Sequence, residues 1–349
     1  MKANLSYLIF LFSVLVSCQS VTTDTFQNPL LETGLNPSCV FYNGVYYYTQ
    51  GNNSSIQIWE TTDITKLNEA KTKQVWAAEN PDSMQNIWAP DLQRIDGKWY
   101  IYMSAGNSNR ASRHIYVLEN TAEKPTEGTF MLKGMITLDA GSNWGIEPTS
   151  FVHKGKQYLV WAGQEEDALQ LGFETKINLY IALMENPWTL ASERVLISKP
   201  EFEWEREWIN EDGIRAAKPY YCNESPAFTY SPDSTQLEIF FNSNSFSTVY
   251  HCVGVITAQA EANLLDASSW IKNPEPVFLQ NPTDSVLGPG GLCFIPSSDG
   301  TESYLLYHAR SDMTTQQNAK GQPNSSPRLQ KIVWGKDGLP SQEMKLGTE

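Results

Sequence analysis

The chain is poor in the residues that most often carry metal, acyl-transfer or nucleic-acid chemistry. It has 4 histidines in 349 residues. His114, His153, His251 and His308 fall in or beside strand-like segments at unrelated phases, so they do not read as a transition-metal site. His308 ends a strand and reads as structural. The 5 cysteines include no Cys-x-x-Cys spacing, and no Gly-x-Ser-x-Gly elbow occurs, which leaves a Ser-His-Asp acyl transferase without its nucleophile turn. Helical periodicity is nearly absent, which excludes α/β hydrolases and (β/α) barrels, whose strands alternate with long amphipathic helices. Positive charge is scarce: 25 Lys and Arg stand against 39 Asp and Glu, a formal net charge of −14. Such a surface repels phosphate backbones and anionic headgroups, so nucleic acid is not an expected partner. No internal linker or low-complexity stretch interrupts the chain.

What is present begins with a targeting segment, set aside from the fold. Lys2 precedes an apolar run from Leu8 to Val16, too short for a comfortable membrane span. Leu15-Val16-Ser17-Cys18 then resembles a bacterial lipoprotein cleavage box. The expected division is a lipoprotein signal peptide over 1–17, a tether over 18–26 from a lipidated Cys18, and one domain over 27–349. The protein is then exported and membrane-anchored, touching the membrane only through that lipid. Cys39, Cys222, Cys252 and Cys293 remain, read as small buried hydrophobes or, for Cys222 and Cys252, as a disulfide pair.

The domain repeats itself. A polar turn with proline, an apolar run, a second turn and an aromatic-rich strand recur at Asn36-Pro37, Pro90-Asp91, Glu147-Pro148, Glu224-Ser225-Pro226 and Gly288-Pro289-Gly290-Gly291. Asn43-Gly44, Asp96-Gly97 and Lys154-Gly155 read as hairpin turns. Repeats of this length with several strands each predict an all-β fold, a five-bladed β-propeller. The innermost strands of a propeller start at one end of its channel, so Asn36, Asp91, Glu147, Glu224 and the Gly288–Gly291 turn converge. Carboxylates brought to one small site cannot all ionise freely, and one is pushed to a raised pKa, as a general acid requires. A pair of carboxyl groups flanking a bond is the requirement of glycoside hydrolysis. A segment rich in Glu and Trp, Pro200 to Cys222, breaks the repeat. It reads either as a solvated loop or as a rim on which Trp204 or Trp208 stacks against a sugar.

From Asn28 to Pro340 the sequence resembles glycoside hydrolase family 43, especially its exo-acting α-L-arabinofuranosidase-like branch. The stretches Trp88 to Tyr102, Glu185 to Pro200, Trp270 to Phe278 and Arg328 to Trp334 carry the resemblance. It implies a five-bladed propeller that inverts the anomeric carbon, with Glu224 as general acid and Glu147, where the family usually has Asp, as the group that tunes pKa. The base position falls on Asn36, whose amide cannot usefully accept a proton. Gly291 stands where the family has a histidine that helps hold a channel ion. No cofactor is therefore expected, with a channel Ca²⁺ or Na⁺ as a family-based alternative. Trp88, Trp144 and Phe151 form an expected aromatic wall for the sugar, with Asp91 as a further substrate contact. Three accounts of Asn36 compete: a glycan-binding propeller that does not cut, a base relocated to Asp91 or to Glu205, Glu207 or Glu211, and slow catalysis with the amide holding water. The expected partner is an oligosaccharide or polysaccharide, and terminal α-L-arabinofuranose, or a related xylose or galactose unit, is the expected leaving sugar.

Overall fold

The computed structural model describes residues 26–52, 54–79, 84–107, 112–138, 143–165, 176–206, 221–246, 248–312 and 324–341. The expected signal segment with Cys18, and Glu207, Trp208 and Glu211, lie outside the described residues. Among the described residues no helix is long and apolar enough to cross a membrane.

The chain is all-β, as expected. Strands β1 (Ser38–Tyr42), β2 (Val45–Asn52), β3 (Ser55–Thr61) and β4 (Lys71–Ala77) form one antiparallel meander. Strands β5 (Gln85–Ile95), β6 (Lys98–Gly106), β7 (His114–Asn120) and β8 (Met131–Met135) form a second. A third contains β9 (Gly145–His153), β10 (Lys156–Gly163) and β11 (Lys176–Asn186), flanked by β12 (Thr189–Leu190) and β13 (Val195–Ser198). The fourth is β14 (Tyr221–Tyr230), β15 (Gln236–Ser243), β16 (Cys252–Gln259) and β17 (Ile271–Lys272). The last is β18 (Leu287–Pro296), β19 (Ser303–Arg310) and β20 (Ser326–Lys331). The third and fourth meanders share one hydrogen-bonded sheet, because β11 and β14 pair in parallel at Lys176↔Tyr221 and Ile177↔Cys222.

Local chemistry sets the hairpins. Asn43-Gly44, Asp96-Gly97 and Lys154-Gly155 each place both central residues at φ between 48° and 80°, the geometry of a two-residue turn whose twist matches its strands. In the last two meanders a longer turn takes over. Asp233 accepts from Ser231 Oγ, Thr235 N and Thr235 Oγ1, and Asp299 accepts from Ser297 Oγ, Thr301 N and Thr301 Oγ1 in the same pattern. One Ser-x-Asp-x-Thr motif is thus used twice.

The second strand of each meander is apolar on both faces, because neighbours cover both. Side chains alternate along a strand, so Tyr47 packs with Trp99 and Ile101 between the first and second meanders. Tyr100 and Tyr102 turn the other way to meet Leu159 and Trp161. Val160 joins Ile239 and Phe241, and Phe240 joins Leu305 and Tyr307. Leu306 joins Tyr46 and Tyr48, so the last core cluster bridges the fifth meander back to the first. The N-terminal segment seals the same seam. Leu30 N and Gly34 N donate to Pro327 O (2.8 Å) and Ser325 O (2.9 Å), and Asn28 bonds both backbone groups of Leu329.

The first strands follow this cyclic order. Strand β5 packs against β1 and β9, β14 against β9 and β18, and β18 against β1. They line a central cavity of about 400 Å³.

Candidate active site

A residue in the left-handed region lies in each first strand or, for β1, two residues before it: Asn36 (φ 47°), Ala89 (42°), Glu147 (52°), Ser225 (49°) and Gly291 (58°). All five line the cavity. A non-glycine residue there costs roughly 1–2 kcal/mol, least for Asn, and strain of this kind gathers at functional sites. In the last four strands the pairing register shifts across that residue. A bulge re-aims the side chain it carries, so local backbone geometry turns these positions toward a common centre. The fifth repeat is phased by Gly291, three residues beyond the Gly288 that the Pro289 alignment expected from sequence would place there. Trp88↔Ser104 and Asp91↔Tyr102 in the second meander correspond to Gly290↔His308 and Cys293↔Leu306 in the fifth.

At the centre, Asn36 Nδ2 donates to Glu147 Oε1 at 3.2 Å. Ser225 Oγ donates to Glu147 Oε2 at 2.6 Å. The backbone N–H of Glu147 donates to Ser104 Oγ at 2.6 Å. Glu147 therefore ties the segment leading into β1, together with β6 and β14, to β9. Burial raises its pKa above the ordinary carboxylate value, and the hydrogen bonds from Ser225 and Asn36 only partly offset this. Glu224 is partly buried and immediately precedes Ser225, opposite Asn242 on β15, so the hydroxyl on Glu147 anchors the backbone that carries Glu224.

His308, read from sequence as structural, reaches this centre. Its Nδ1 accepts the backbone N–H of Asn36 at 3.1 Å. Burial, then the neighbouring His251 and Arg310, push its pKa well below the usual value. The ring is therefore neutral, with its proton on Nε2. Glycine at 291 makes this arrangement fit: a Cβ there would lie 2.5 Å from His308 Nδ1 and 2.7 Å from Asn36 Oδ1. The rings of His251 and His308 stack at 6.0 Å. Ser225, Ser104 and His308 escaped sequence reading. Only the left-handed phase shared by Ser225 and Glu147 distinguishes Ser225 from any serine before a proline, and His308 comes from a second strand, which the repeat alignment does not aim at the centre.

Asp91 sits two residues along β5 from Ala89, where its Oδ2 accepts from Gln93 Nε2 (2.9 Å), Thr149 Oγ1 (3.2 Å) and Ser150 N (3.2 Å). Its Oδ1 accepts from Ser38 Oγ at 3.3 Å. Burial lifts its pKa to about 6 against these four hydrogen bonds. The carboxylate thus bridges β1, β5 and β9. Asp91→Ala leaves those donors without their acceptor, at about 1–3 kcal/mol for each that water does not reach. The expected result is a loss of roughly 2–4 kcal/mol in denaturant unfolding, with substrate affinity in the surviving folded protein little changed.

Of the expected aromatic wall, Trp88 is partly buried, with the Arg113 guanidinium 3.7 Å from its ring centroid. Trp144 and Phe151 are 3% and 5% exposed and belong to the core between the third and fourth meanders. Phe151 stacks on Phe228 at 4.0 Å and on Tyr158 at 5.5 Å. Most of their surface is spent on packing, although Phe151 still lines the cavity, and Trp88 is the least buried of the three. Trp204 likewise packs: it stacks on Phe241 at 6.2 Å and donates Nε1 to Pro274 O at 2.9 Å.

Glu205 is no relocated base. It is fully buried and accepts from Lys272 Nζ (2.6 Å), Asn223 Nδ2 (2.8 Å) and the N–H groups of Glu201 and Phe202 (both 2.7 Å). Cys222 and Cys252 are both buried free thiols, so the disulfide reading is set aside. The donor set at the centre does not suit a directly held cation. Gly291 offers no side chain, and among the described residues no three His, Cys, Asp or Glu side chains group to hold a metal.

Five β-meanders whose first strands line one cavity, with the strained Glu147 among the residues there, define an architecture, and comparison names the family. The chain matches Glycosyl hydrolases family 43 over residues 26–340 and belongs to that family. It is 32% identical over 322 residues to an extracellular exo-alpha-(1->5)-L-arabinofuranosidase of Streptomyces avermitilis, covering 91% of this chain and 63% of that protein. It therefore spans less than two thirds of that relative's length. A protein of the same description from Streptomyces chartreusis is 34% identical, with 82% of each chain covered. The crystal structure of alpha-L-arabinofuranosidase from Lactobacillus brevis superposes with a TM-score of 0.81 at 27% identity, covering 93% of this chain and 98% of that one.

Proposed function

We propose that the chain is a five-bladed β-propeller glycoside hydrolase that releases terminal α-L-arabinofuranose from an oligosaccharide or polysaccharide with inversion. The cyclic packing of the first strands and the core cluster joining the last meander to the first support five blades. The arabinofuranosidase names of the relatives support the sugar. The observation that carries the hydrolase reading is the chain of contacts Asn36–Glu147–Ser225, with Glu224 the next residue. It joins, at one cavity, a raised-pKa carboxyl and an amide able to orient water to the backbone that carries a second carboxyl, Glu224.

In this reading Glu224 protonates the leaving glycosidic oxygen, and Asn36 with Glu147 forms the pair that meets the attacking water. Trp88 offers the sugar an aromatic face. The relatives described as extracellular support export, and the lipoprotein-like box ending in Cys18 supports anchoring through a lipid.

The test is sugar release from a panel of arabinose-, xylose- and galactose-containing oligosaccharides, with protein in excess and the product anomer read by NMR. Free β-arabinofuranose as first product is expected. Binding of the panel without any release would identify a glycan-binding protein and refute the hydrolase reading.

A further inference from the structure

One role in the reaction has no evident owner: the group that takes the proton of the attacking water. Asn36 cannot, because an amide has no useful basicity. Asp91 is committed to four donors on three strands, and Glu205 is buried in a separate ion pair with Lys272. Glu147 is different. Its carboxylate stands in contact with the Asn36 side chain itself, at 3.2 Å.

We propose that Glu147 is the general base of the reaction and that Asn36 is its positioning partner. The inference rests on the hydrolase reading above. Glutamate at 147 leaves the left-handed backbone with one methylene more than aspartate, and that reach brings its carboxylate to Asn36 just before β1 as well as to Ser225 on β14. The Ser225 hydroxyl holds Oε2, and the Asn36 amide N–H approaches Oε1. Each carboxylate oxygen has two lone pairs, so Oε1 keeps one for a water proton. The bond that ties Asn36 Nδ2 to Glu147 leaves Asn36 Oδ1 as an acceptor for the second hydrogen of the same water. His308 holds the Asn36 backbone from behind, and so fixes where that amide stands.

The step balances without further reagents. The water oxygen bonds to the anomeric carbon as the bond from that carbon to the leaving oxygen breaks. One water proton passes to Glu147 Oε1, and the Glu224 proton passes to the leaving oxygen. Exchange with solvent restores both carboxyls.

The experiment compares wild type, Glu147→Gln, Glu147→Ala and Glu224→Gln on a natural α-1,5-linked arabino-oligosaccharide and on a 2,4-dinitrophenyl α-L-arabinofuranoside, with and without sodium azide. A base and a pKa-tuning group part company here. A departing dinitrophenolate needs no proton, so a group acting through Glu224 loses importance on it, whereas a base does not. Azide attacks without giving up a proton, so it replaces a missing base. The expected result is a kcat loss of roughly 10²- to 10⁴-fold for Glu147→Gln on both substrates, with azide raising Glu147→Ala and yielding the β-arabinofuranosyl azide. Azide rescue also certifies a folded site. Recovery of Glu147→Gln on the dinitrophenyl substrate, with no azide effect, would make Glu147 a modulator of Glu224 and overturn the proposal. A wild type inactive on both substrates would overturn the hydrolase reading and this inference with it.

Discussion

Glu224→Gln is expected to lower turnover of natural arabino-oligosaccharides by roughly 10²- to 10⁴-fold, the usual share of a positioned proton donor, while leaving sugar affinity nearly intact. The amide is isosteric with the carboxylic acid but has no proton to give to the leaving oxygen. Its neighbour Ser225 remains tied to Glu147, so the start of β14 keeps its place and the loss reports chemistry. The deficit is expected to shrink on aryl arabinofuranosides as the leaving phenol becomes more acidic, because a good leaving group needs less protonation. Kinetics on a phenol series, with affinity measured by titration calorimetry, check both parts. An equal loss across the series would place the proton donor elsewhere.

Asn36→Asp is expected to reduce neutral-pH activity, although it restores a carboxylate at the position where the family resemblance seeks one. The aspartate would face Glu147 Oε1 across the 3.2 Å now spanned by an amide hydrogen bond. Two carboxylates so close in a buried site cannot both ionise cheaply, so they share a proton and the pair's upper titration rises. The sign of the stability effect follows. The folded variant holds that proton to higher pH than the unfolded chain does, so it loses stability as pH climbs from the ordinary carboxylate range through the raised value, and no further above it. Each unit of raised pKa is worth about 1.4 kcal/mol on the alkaline side. Thermal melts from pH 4 to 8 should show a deficit against wild type that widens with pH, and the acid limb of the activity profile should move to higher pH. A gain in rate at neutral pH with no pH-dependent destabilisation would instead mark position 36 as the seat of a lost base.

Much of this was legible in the chain. Five proline-marked repeats, aromatic second strands and three two-residue turns were enough for the all-β class and for the convergence of Asn36 and Glu147, because bulges and turns are decided by a few neighbouring residues. The fate of the aromatic wall was not legible. Trp144 and Phe151 look alike in sequence whether they face a sugar or a neighbouring sheet, and packing against the fourth meander buries them. Asp91 was aligned with the site by its proline. It lies two residues past the left-handed position, where it lines the cavity and its carboxylate ties strands together. The Glu205 carboxyl, one of many in an acidic insertion, could not be told from its neighbours until Lys272, 67 residues away, was seen to meet it.

The sequence by itself determined the repeat, the strand order and the list of polar residues at each strand start, since period, turn chemistry and hydrophobic alternation are short-range properties. Only the tertiary structure decided which of those residues touch. Contacts such as Asn36 to Glu147, 111 residues apart, and Asn36 to His308, 272 apart, depend on how five meanders close around one cavity and how each bulge turns a side chain. Those angles are set by packing across the whole ring, to which every repeat contributes.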